Sequence, residues 1–169
     1  MTKTIFLIGF MGVGKTSLGK KLANRLNIPF LDTDDLIEQK VGMTIADYFA
    51  KKGENAFRNT EKELLLNYDF NNAIVSTGGG LPCYHKNMET MNEKGITIFL
   101  NRPAKELQQR LINAKKQRPL IKELNDDELL EFITSKLVER RPFYEMANFT
   151  LDRNSQTVDE IINRISELD

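Results

Sequence analysis

A glycine-rich stretch near the start of the chain carries the most specific chemical signal. It runs from Gly9 to Thr16 and fits the phosphate-binding pattern G-x-x-x-x-G-K-S/T, the P-loop. Glycines let the backbone turn tightly and aim its N–H groups inward, and the N-terminus of the following helix adds partial positive charge. Lys15 can reach the β- and γ-phosphates of a nucleotide, and the Thr16 hydroxyl can ligate Mg²⁺. The stretch predicts a nucleoside triphosphate site with contacts from Gly12, Val13, Gly14, Lys15, Thr16 and Ser17.

Two acids separated by one residue follow the second predicted strand, Phe30-Leu31. One of the carboxylates, Asp32 or Asp34, can hold Mg²⁺ directly or through water. The other can accept a proton or a hydrogen bond from a substrate hydroxyl. The alternative is that Asp34 or Asp35 simply caps the next helix, predicted from Leu36 to Val41, which is a common role for aspartate.

One helix is predicted to start at Thr44-Ile45-Ala46-Asp47 and to be closed by Lys51-Lys52-Gly53, and a longer helix is predicted from about Glu54 to Tyr68. A pair of charges three residues apart, Arg58 and Glu61, lies on one face of the longer helix. Glu61 can brace the Arg58 guanidinium, and an arginine held in this way can grip a substrate carboxylate with two hydrogen bonds. The spacing alone favours a different interpretation, an exposed ion pair of little energetic value.

Further arginines occur in the second half of the chain. The hydrophobic periodicity lapses around Gln117-Arg118-Pro119, which predicts a mobile lid over residues 112–125 in which Arg118 meets the transferring phosphoryl group. A solvated charged loop is the alternative. Arg140 precedes Pro142, which we expect to end its helix and to aim Arg140 back into the crevice.

Three glycines, Gly78-Gly79-Gly80, follow the third predicted strand and allow a ligand to approach the backbone closely. Cys83 and His85 come soon after them. Neither residue has the spacing of a metal ligand, so we expect both to be structural.

Five short strands alternating with helices must position these residues. The strands are predicted at Lys3–Ile8, Phe30–Leu31, Ala73–Ser76, Ile96–Leu100 and Phe149–Leu151. This alternation predicts an α/β fold with a parallel sheet covered by helices on both faces. The ligand crevice of such a sheet lies at the carboxyl ends of its strands, where the P-loop, Asp32 and the glycines fall. The strand before the P-loop and the amphipathic helix after it argue against a chance glycine-rich turn.

Bulk properties limit the classes of function. A chain of 169 residues is about the size of one domain, so we expect residues 1–169 to form a single unit. With 24 basic and 24 acidic residues the net charge is zero, which gives no sign of a nucleic-acid or membrane partner. The sequence shows no membrane span or secretory signal, and its single cysteine fits a reducing cytoplasm. We expect a cytoplasmic monomer.

A triphosphate site, Asp34, candidate carboxylate-gripping arginines and a lid arginine together indicate a kinase for a small, hydroxylated, anionic acceptor. The chain resembles the shikimate kinase family over essentially its whole length. The motifs that carry the resemblance are Gly9 to Thr16, Asp32-Thr33-Asp34, Phe57-Arg58-Asn59-Thr60-Glu61, Gly78-Gly79-Gly80, Arg118-Pro119-Leu120 and Glu139-Arg140-Arg141-Pro142-Phe143-Tyr144. They occur in the family's order and at about its intervals.

The resemblance implies the P-loop NTPase fold and transfer of the γ-phosphate of ATP to the 3-hydroxyl of shikimate, a step toward chorismate and aromatic amino acids. It implies that Lys15 holds phosphates, that Thr16 ligates Mg²⁺ and that Asp32 reaches the metal through water. Asp34 corresponds to the acid that binds the shikimate hydroxyls and orients or deprotonates the nucleophile.

The resemblance also assigns the acceptor and nucleotide contacts. Arg58 and Arg140 correspond to the pair that clamps the shikimate carboxylate, with backbone contacts from Gly79 and Gly80. The acceptor region is expected at about residues 33–61. Arg118 corresponds to the lid arginine, Arg110 resembles the arginine that packs on adenine, and Gln156 falls in the adenine loop.

Two other classes of function compete with this interpretation. Another small-molecule kinase of similar fold, such as a gluconate kinase, would share the P-loop and differ in its acceptor. A P-loop regulatory module without catalysis would need no acceptor site, and intact Lys15, Thr16, Asp34 and Arg118 argue against it. The guanine-reading sequence of GTPases, Asn-Lys-x-Asp, is missing from the chain.

Overall fold

The computed structural model describes residues 3–114, 118 and 120–168 of the chain. Its strands are β1 Thr4–Ile8, β2 Phe30–Asp32, β3 Ile74–Ser76, β4 Gly95–Leu100 and β5 Phe149–Leu151. Its helices are α1 Lys15–Leu26, α2 Thr33–Val41, α3 Ile45–Asn67, α4 Asn87–Lys94, α5 Ala104–Ile112, α6 Asp126–Tyr144 and α7 Val158–Ser166.

The five strands form one parallel sheet in the order β2-β3-β1-β4-β5. Strand β1 is central: Ile5 pairs with Ile74 of β3 on one side and with Ile96 of β4 on the other. The order reverses beside β1, and a parallel sheet opens its ligand crevice at such a point. The P-loop after β1 and the glycines after β3 therefore lie next to each other. The predicted α/β fold and all five strands are confirmed.

The sheet is buried on both faces, which explains why its strands are continuous apolar runs rather than alternating ones. All five residues of β1 are buried. Among the largest fully buried side chains are Phe6, Leu7 and Ile8 of β1, together with Phe99 of β4 and Tyr144 of α6. Within the described part of the chain, no helix is long and apolar enough to cross a membrane.

Helix α3 contains a kink that divides it into the two helices expected from the sequence. Gly53 lies in the middle with φ 81° and ψ 172°, a conformation that essentially only glycine adopts. The kink starts a new helical turn at Glu54 and places Arg58 one turn later. Arg58 and Glu61 are therefore carried by the second half of α3, whose apolar residues Phe57, Leu64 and Leu65 are buried.

Helix α2 begins earlier than predicted because Asp32, rather than Asp34 or Asp35, is its N-cap. The Asp32 side chain accepts a hydrogen bond from the Asp34 backbone N–H at 2.9 Å. The capping role proposed for Asp34 or Asp35 is thus taken by the residue before them. Asp34 lies in the first turn of α2, and its carboxylate lies close to Gly78.

The expectation that Pro142 ends its helix is wrong, because α6 continues to Tyr144. A proline cannot donate to the carbonyl four residues earlier, here that of Val138. Val138 is 72% exposed, so this carbonyl lies on the open side of the helix rather than in the core. The continuation brings Tyr144 into the core beside the crevice.

The predicted lid, residues 112–125, is described in part. Lys115, Lys116, Gln117 and Pro119 lie outside the described residues. Beyond them, a turn is closed by the backbone N–H of Ile121, which donates to the Arg118 carbonyl at 3.1 Å. Asn125 then begins α6 with a capping box formed with Glu128. Mobility of this segment stays a prediction.

Candidate active site

The P-loop wraps around the side chain of its own lysine. Lys15 Nζ donates to the carbonyl oxygens of Gly9 at 2.6 Å and Phe10 at 3.0 Å, so the ammonium is held inside the loop. Gly14 precedes α1 in a left-handed conformation, and no side chain caps the helix. The free N–H groups at the start of α1 are therefore available to an anion.

The electrostatic environment of Lys15 indicates where the phosphates belong. Burial is the main reason that the pKa of Lys15 is lowered to about 7; the positive charges of Arg118 and Arg140 contribute to the lowering, and Asp34 and Asp32 oppose it. Several cations thus converge on one small region. A triply or quadruply charged phosphate chain would relieve their mutual repulsion.

Thr16 and Asp32 are brought together as a cation site requires. The Thr16 hydroxyl donates to one carboxylate oxygen of Asp32 at 3.3 Å, while the other oxygen caps α2. A hydroxyl and a carboxylate beside a phosphate site are ligands that suit Mg²⁺, which commonly binds through one or two protein oxygens plus substrate phosphates. Among the described residues, no group of three or more His, Cys, Asp or Glu side chains could hold a metal ion by itself.

Asp34 lies at the bottom of the crevice between α2 and the loop after β3. A Cβ atom on Gly78 would lie 2.8 Å from Asp34 Oδ1, so the carboxylate approaches that backbone closely. The neighbouring Thr33 is fully buried, and its hydroxyl accepts a hydrogen bond from the Gly78 N–H at 3.0 Å. This bond fixes the start of α2 against Gly78-Gly79-Gly80, the glycine segment.

Arg58 is a buried residue, which overturns the surface ion-pair alternative. Its side chain is 10% exposed, and its Nη1 donates to Glu61 Oε2 at 2.9 Å, with Glu61 only 1% exposed. Burial opposes the charge of Arg58, but Glu61 outweighs it and raises the pKa of the guanidinium. Burial raises the pKa of Glu61 to about 7, although Arg58 opposes that shift. The pair is a rigid internal support, as the bracing hypothesis required.

Arg140 lies across the crevice from Arg58, over the Phe10 ring at 5.4 Å from its centroid. Tyr144, one turn later on α6, is fully buried and donates its hydroxyl to the Gly79 carbonyl at 2.6 Å. Burial strongly raises the pKa of Tyr144 while the Arg140 charge opposes the shift, so the hydroxyl stays a donor. Tyr144 therefore ties α6 to the glycine segment and fixes the base of Arg140.

Three arginines hold buried nitrogen atoms that have no hydrogen-bond partner among the described residues. The atoms are Arg58 Nε, Arg118 Nε and Arg140 Nη1. Leaving a charged donor buried and unpaired is costly, so proteins rarely do so unless a ligand completes the arrangement. All three arginines come from segments that surround the crevice. Two of these arginines, Arg118 and Arg140, also act electrostatically on Lys15, so positive charge is concentrated beside the P-loop.

The glycine segment lets these arginines approach the backbone. A Cβ on Gly80 would lie 2.6 Å from both Nη1 and Nη2 of Arg58, and one on Gly79 would lie 3.2 Å from Arg140 Nη1. No side chain fits at the first distance. The two glycines thus face the two arginines predicted to bind the acceptor.

The other edge of the P-loop carries the residues predicted to contact adenine. Arg110 Nε donates to the Gly12 carbonyl at 2.6 Å, which attaches α5 to the loop. A groove of about 560 Å³ runs beside it, lined by Arg102, Lys105, Glu106, Gln108, Gln109, Arg110 and Arg153. Gln156 lies near this groove but is already engaged: its Nε2 donates to Asn101 and Leu151 carbonyls, and its Oε1 accepts from Arg102. For Gln156 to contact the adenine base, some of these hydrogen bonds would have to break.

Cys83 is half-buried beside the acceptor crevice. Burial raises the pKa of its thiol to about 11, which keeps it protonated and unreactive. His85 follows in a left-handed turn, away from any group of metal ligands in the described ranges.

Sequence reasoning did not single out Thr33, Tyr84, Glu54 or Tyr144 as supports of the site. Tyr84 stacks on the Arg58 guanidinium, 4.3 Å from ring centroid to Cζ. Thr33 and Tyr144 lie within motifs that carry the family resemblance, and Glu54 precedes Arg58 by four residues on one helix. The contacts of Thr33 with Gly78, of Tyr84 with Arg58 and of Tyr144 with Gly79 join segments far apart in the chain, and no local pattern predicts them.

Comparison with known proteins identifies close relatives over the whole length. A family model described as Shikimate kinase matches residues 11–168. A shikimate kinase of Bacteroides fragilis is 49% identical over 146 residues, which cover 86% of this chain and 82% of that protein. The crystal structure of shikimate kinase from Bacteroides thetaiotaomicron is similar with a TM-score of 0.86 and 41% identity, covering 98% of this chain and 97% of that one.

Two further structures bear on the acceptor. A shikimate kinase from Acinetobacter baumannii in complex with shikimate has a TM-score of 0.80 and 34% identity, covering 99% of this chain and 93% of that one. A gluconokinase from Sinorhizobium meliloti has a TM-score of 0.54 at 17% identity, covering 99% of this chain and 93% of that one, and shares the fold alone.

Proposed function

This chain belongs to the shikimate kinase family, and from that premise we propose that it transfers the γ-phosphate of ATP to the 3-hydroxyl of shikimate. The products are 3-phosphoshikimate and ADP. The observation that carries the proposal is the set of unpaired buried donors on Arg58, Arg118 and Arg140 around one crevice, counted over the described residues. The relative solved in complex with shikimate supports that acceptor.

The acceptor carboxylate is proposed to lie between Arg58 and Arg140. Arginine presents paired N–H donors in a plane that matches a carboxylate, and Glu61 keeps Arg58 in one orientation. Gly79 and Gly80 leave room for both guanidinium groups and for backbone contacts with the acceptor. This arrangement fixes the acceptor at its carboxylate end and directs its hydroxyls toward Asp34.

Asp34 is proposed to accept the proton of the 3-hydroxyl as its oxygen attacks the γ-phosphorus. The bond from the γ-phosphorus to the oxygen bridging it to the β-phosphate breaks, and ADP leaves with the electron pair. Lys15 and Arg118 are proposed to neutralise the charge on the phosphates during transfer, consistent with their mutual electrostatic influence. Positioning and charge neutralisation account for most of the rate enhancement of such reactions.

The nucleotide is proposed to lie along the P-loop, with Gly12, Val13, Gly14 and Ser17 contacting its phosphates. The adenine is proposed to occupy the groove beside Arg110, in the segment that includes Gln156. Mg²⁺ is proposed to bind Thr16 directly and Asp32 through water, where it would neutralise phosphate charge.

We propose that residues 1–169 form a single catalytic unit that acts as a cytoplasmic monomer. Its acceptor region is proposed at 33–61 and its lid at 112–125.

A coupled ADP-release assay with a panel of acceptors tests the proposal. Shikimate should stimulate ADP release at least about 100-fold over the rate without acceptor, whereas quinate, gluconate and nucleoside monophosphates should give little stimulation. Stimulation by gluconate instead of shikimate would favour the other small-molecule kinase. ATP binding without stimulation by any acceptor would favour the regulatory module.

A further inference from the structure

The Arg58 guanidinium is covered by the aromatic ring of Tyr84. The Tyr84 ring centroid lies 4.3 Å from Arg58 Cζ, close enough for a cation–π contact. The Tyr84 hydroxyl donates to Glu54 Oε1 at 3.1 Å, and the same oxygen accepts from Arg58 Nη2 at 3.4 Å. Each of the three residues Tyr84, Glu54 and Arg58 therefore contacts the other two.

The segment that carries Tyr84 is held in an unusual conformation. The two residues after it, His85 and Lys86, have φ angles of 52° and 57°, in the left-handed region that non-glycine residues rarely adopt. Asn87 closes the turn: its backbone N–H donates to the Tyr84 carbonyl at 2.8 Å and its side chain donates to the Leu81 carbonyl at 2.8 Å. The turn orients the Tyr84 ring onto Arg58.

The contacts of Arg58 engage both terminal nitrogens of its guanidinium. Glu61 accepts from Nη1 and Glu54 accepts from Nη2, while Nε is buried with no partner among the described residues. The Tyr84 ring covers one face of the plane and keeps water from that face. A guanidinium that is fixed and partly desolvated binds a carboxylate more tightly than a mobile, hydrated one.

We propose that Tyr84 is a positioning residue for the acceptor carboxylate, acting through Arg58 together with Glu54. Its ring holds the guanidinium plane, and its hydroxyl holds the Glu54 carboxylate that supports Nη2. The proposal rests on the proposed function, because it takes Arg58 as the carboxylate-binding residue. Part of the affinity for the acceptor would then depend on Tyr84, a half-exposed residue outside the crevice.

Steady-state kinetics with shikimate varied at saturating ATP test this proposal. Tyr84→Ala should raise the KM for shikimate about tenfold, while kcat and the KM for ATP change less than about twofold. Tyr84→Phe keeps the ring and should recover most of the loss, to within about threefold of the unaltered KM. A role in folding alone would not raise the KM for shikimate while leaving the KM for ATP unchanged.

Tyr68→Ala is the matched control, because Tyr68 and Tyr84 are each 37% exposed and Tyr68 contacts Phe70 instead of the site. It should leave both Michaelis constants unchanged. Where Tyr84→Ala does not fold, Tyr84→Leu fills the space without a π face and should show the same increase in KM. An unchanged KM for shikimate in the folded Ala or Leu variant would overturn the proposal, whereas an unaltered enzyme that shikimate does not stimulate would refute the proposed function itself.

Discussion

Asp34 and Asp35 are adjacent acids with different surroundings. Asp34 faces the crevice, where it closely approaches Gly78, whereas Asp35 is exposed. We predict that Asp34→Asn lowers kcat by at least about 100-fold, since an amide cannot accept the proton of the acceptor hydroxyl. The affinity for ATP, measured by calorimetry, should stay within about threefold.

Asp35→Asn is the control for this substitution. It changes the same chemical group one residue away, on the solvent side of α2, and should leave kcat within about twofold. A near-normal kcat of Asp34→Asn would show that Asp34 does not accept the proton of the acceptor hydroxyl. Equal losses in both variants would indicate an effect on helix α2 instead of on chemistry.

The lowered pKa of Lys15 has a measurable consequence for nucleotide binding. At pH 8 its amino group, with a pKa of about 7, is mostly neutral in the free protein. Phosphates placed beside it should raise that pKa toward its ordinary value, so binding of ATP should take up about one proton. Calorimetry in buffers of different ionisation enthalpy measures this uptake directly.

Lys15→Arg provides the comparison, because an arginine stays charged throughout and should bind nucleotide without proton uptake. The ATP phosphates are fully ionised at pH 8 and add no protons of their own to the balance. Binding heats that do not depend on the buffer at pH 8 would show that Lys15 is already charged in the free protein.

At the scale of elements, the kink in α3 determines where Glu54 and Arg58 lie. Gly53 has φ 81° and ψ 172°, and a Cβ there would meet no atom within 4 Å of the described structure, so any effect of a side chain comes from the backbone alone. We predict that Gly53→Ala lowers the free energy of unfolding by about 1–3 kcal/mol. It should also raise the KM for shikimate severalfold, as the second half of α3 shifts.

Gly42→Ala is matched to this change, since Gly42 ends α2 at φ 71° and also has open space around its Cβ position. We expect Gly42→Ala to lower the free energy of unfolding, measured by urea denaturation, by about 1–2 kcal/mol and to leave the KM for shikimate unchanged. Loss of stability in both variants without a change of KM in either would show that the kink does not position the acceptor site.

The sequence predicted the elements well where the pattern was local. The P-loop, the five strands and the break at Gly53 each depend on residues within a few positions of one another. The end of α6 was predicted wrongly because proline removes only one hydrogen bond, and an exposed carbonyl near a helix end tolerates that loss. The start of α2 was misplaced because Asp32 acts as both cap and partner of Thr16.

At the scale of the whole molecule, the supports of the site could not be predicted. Burial of Arg58 decides between a surface ion pair and a substrate clamp, and burial depends on packing of α3 against distant segments. The contact of Tyr84 with Arg58 spans 26 positions and that of Tyr144 with Gly79 spans 65. Sequence spacing therefore identified the charged residues, while the fold determined which of them form one site.

Arg58 and Arg140 are proposed to bind the carboxylate of the acceptor between them. The most direct measurement compares kcat/KM for shikimate with that for its methyl ester, which keeps the hydroxyls and lacks the negative charge. We predict that the unaltered enzyme prefers the acid by about 100-fold or more and that Arg58→Lys or Arg140→Lys reduces this preference at least about tenfold. An enzyme that phosphorylates the ester as efficiently as the acid would contradict the account.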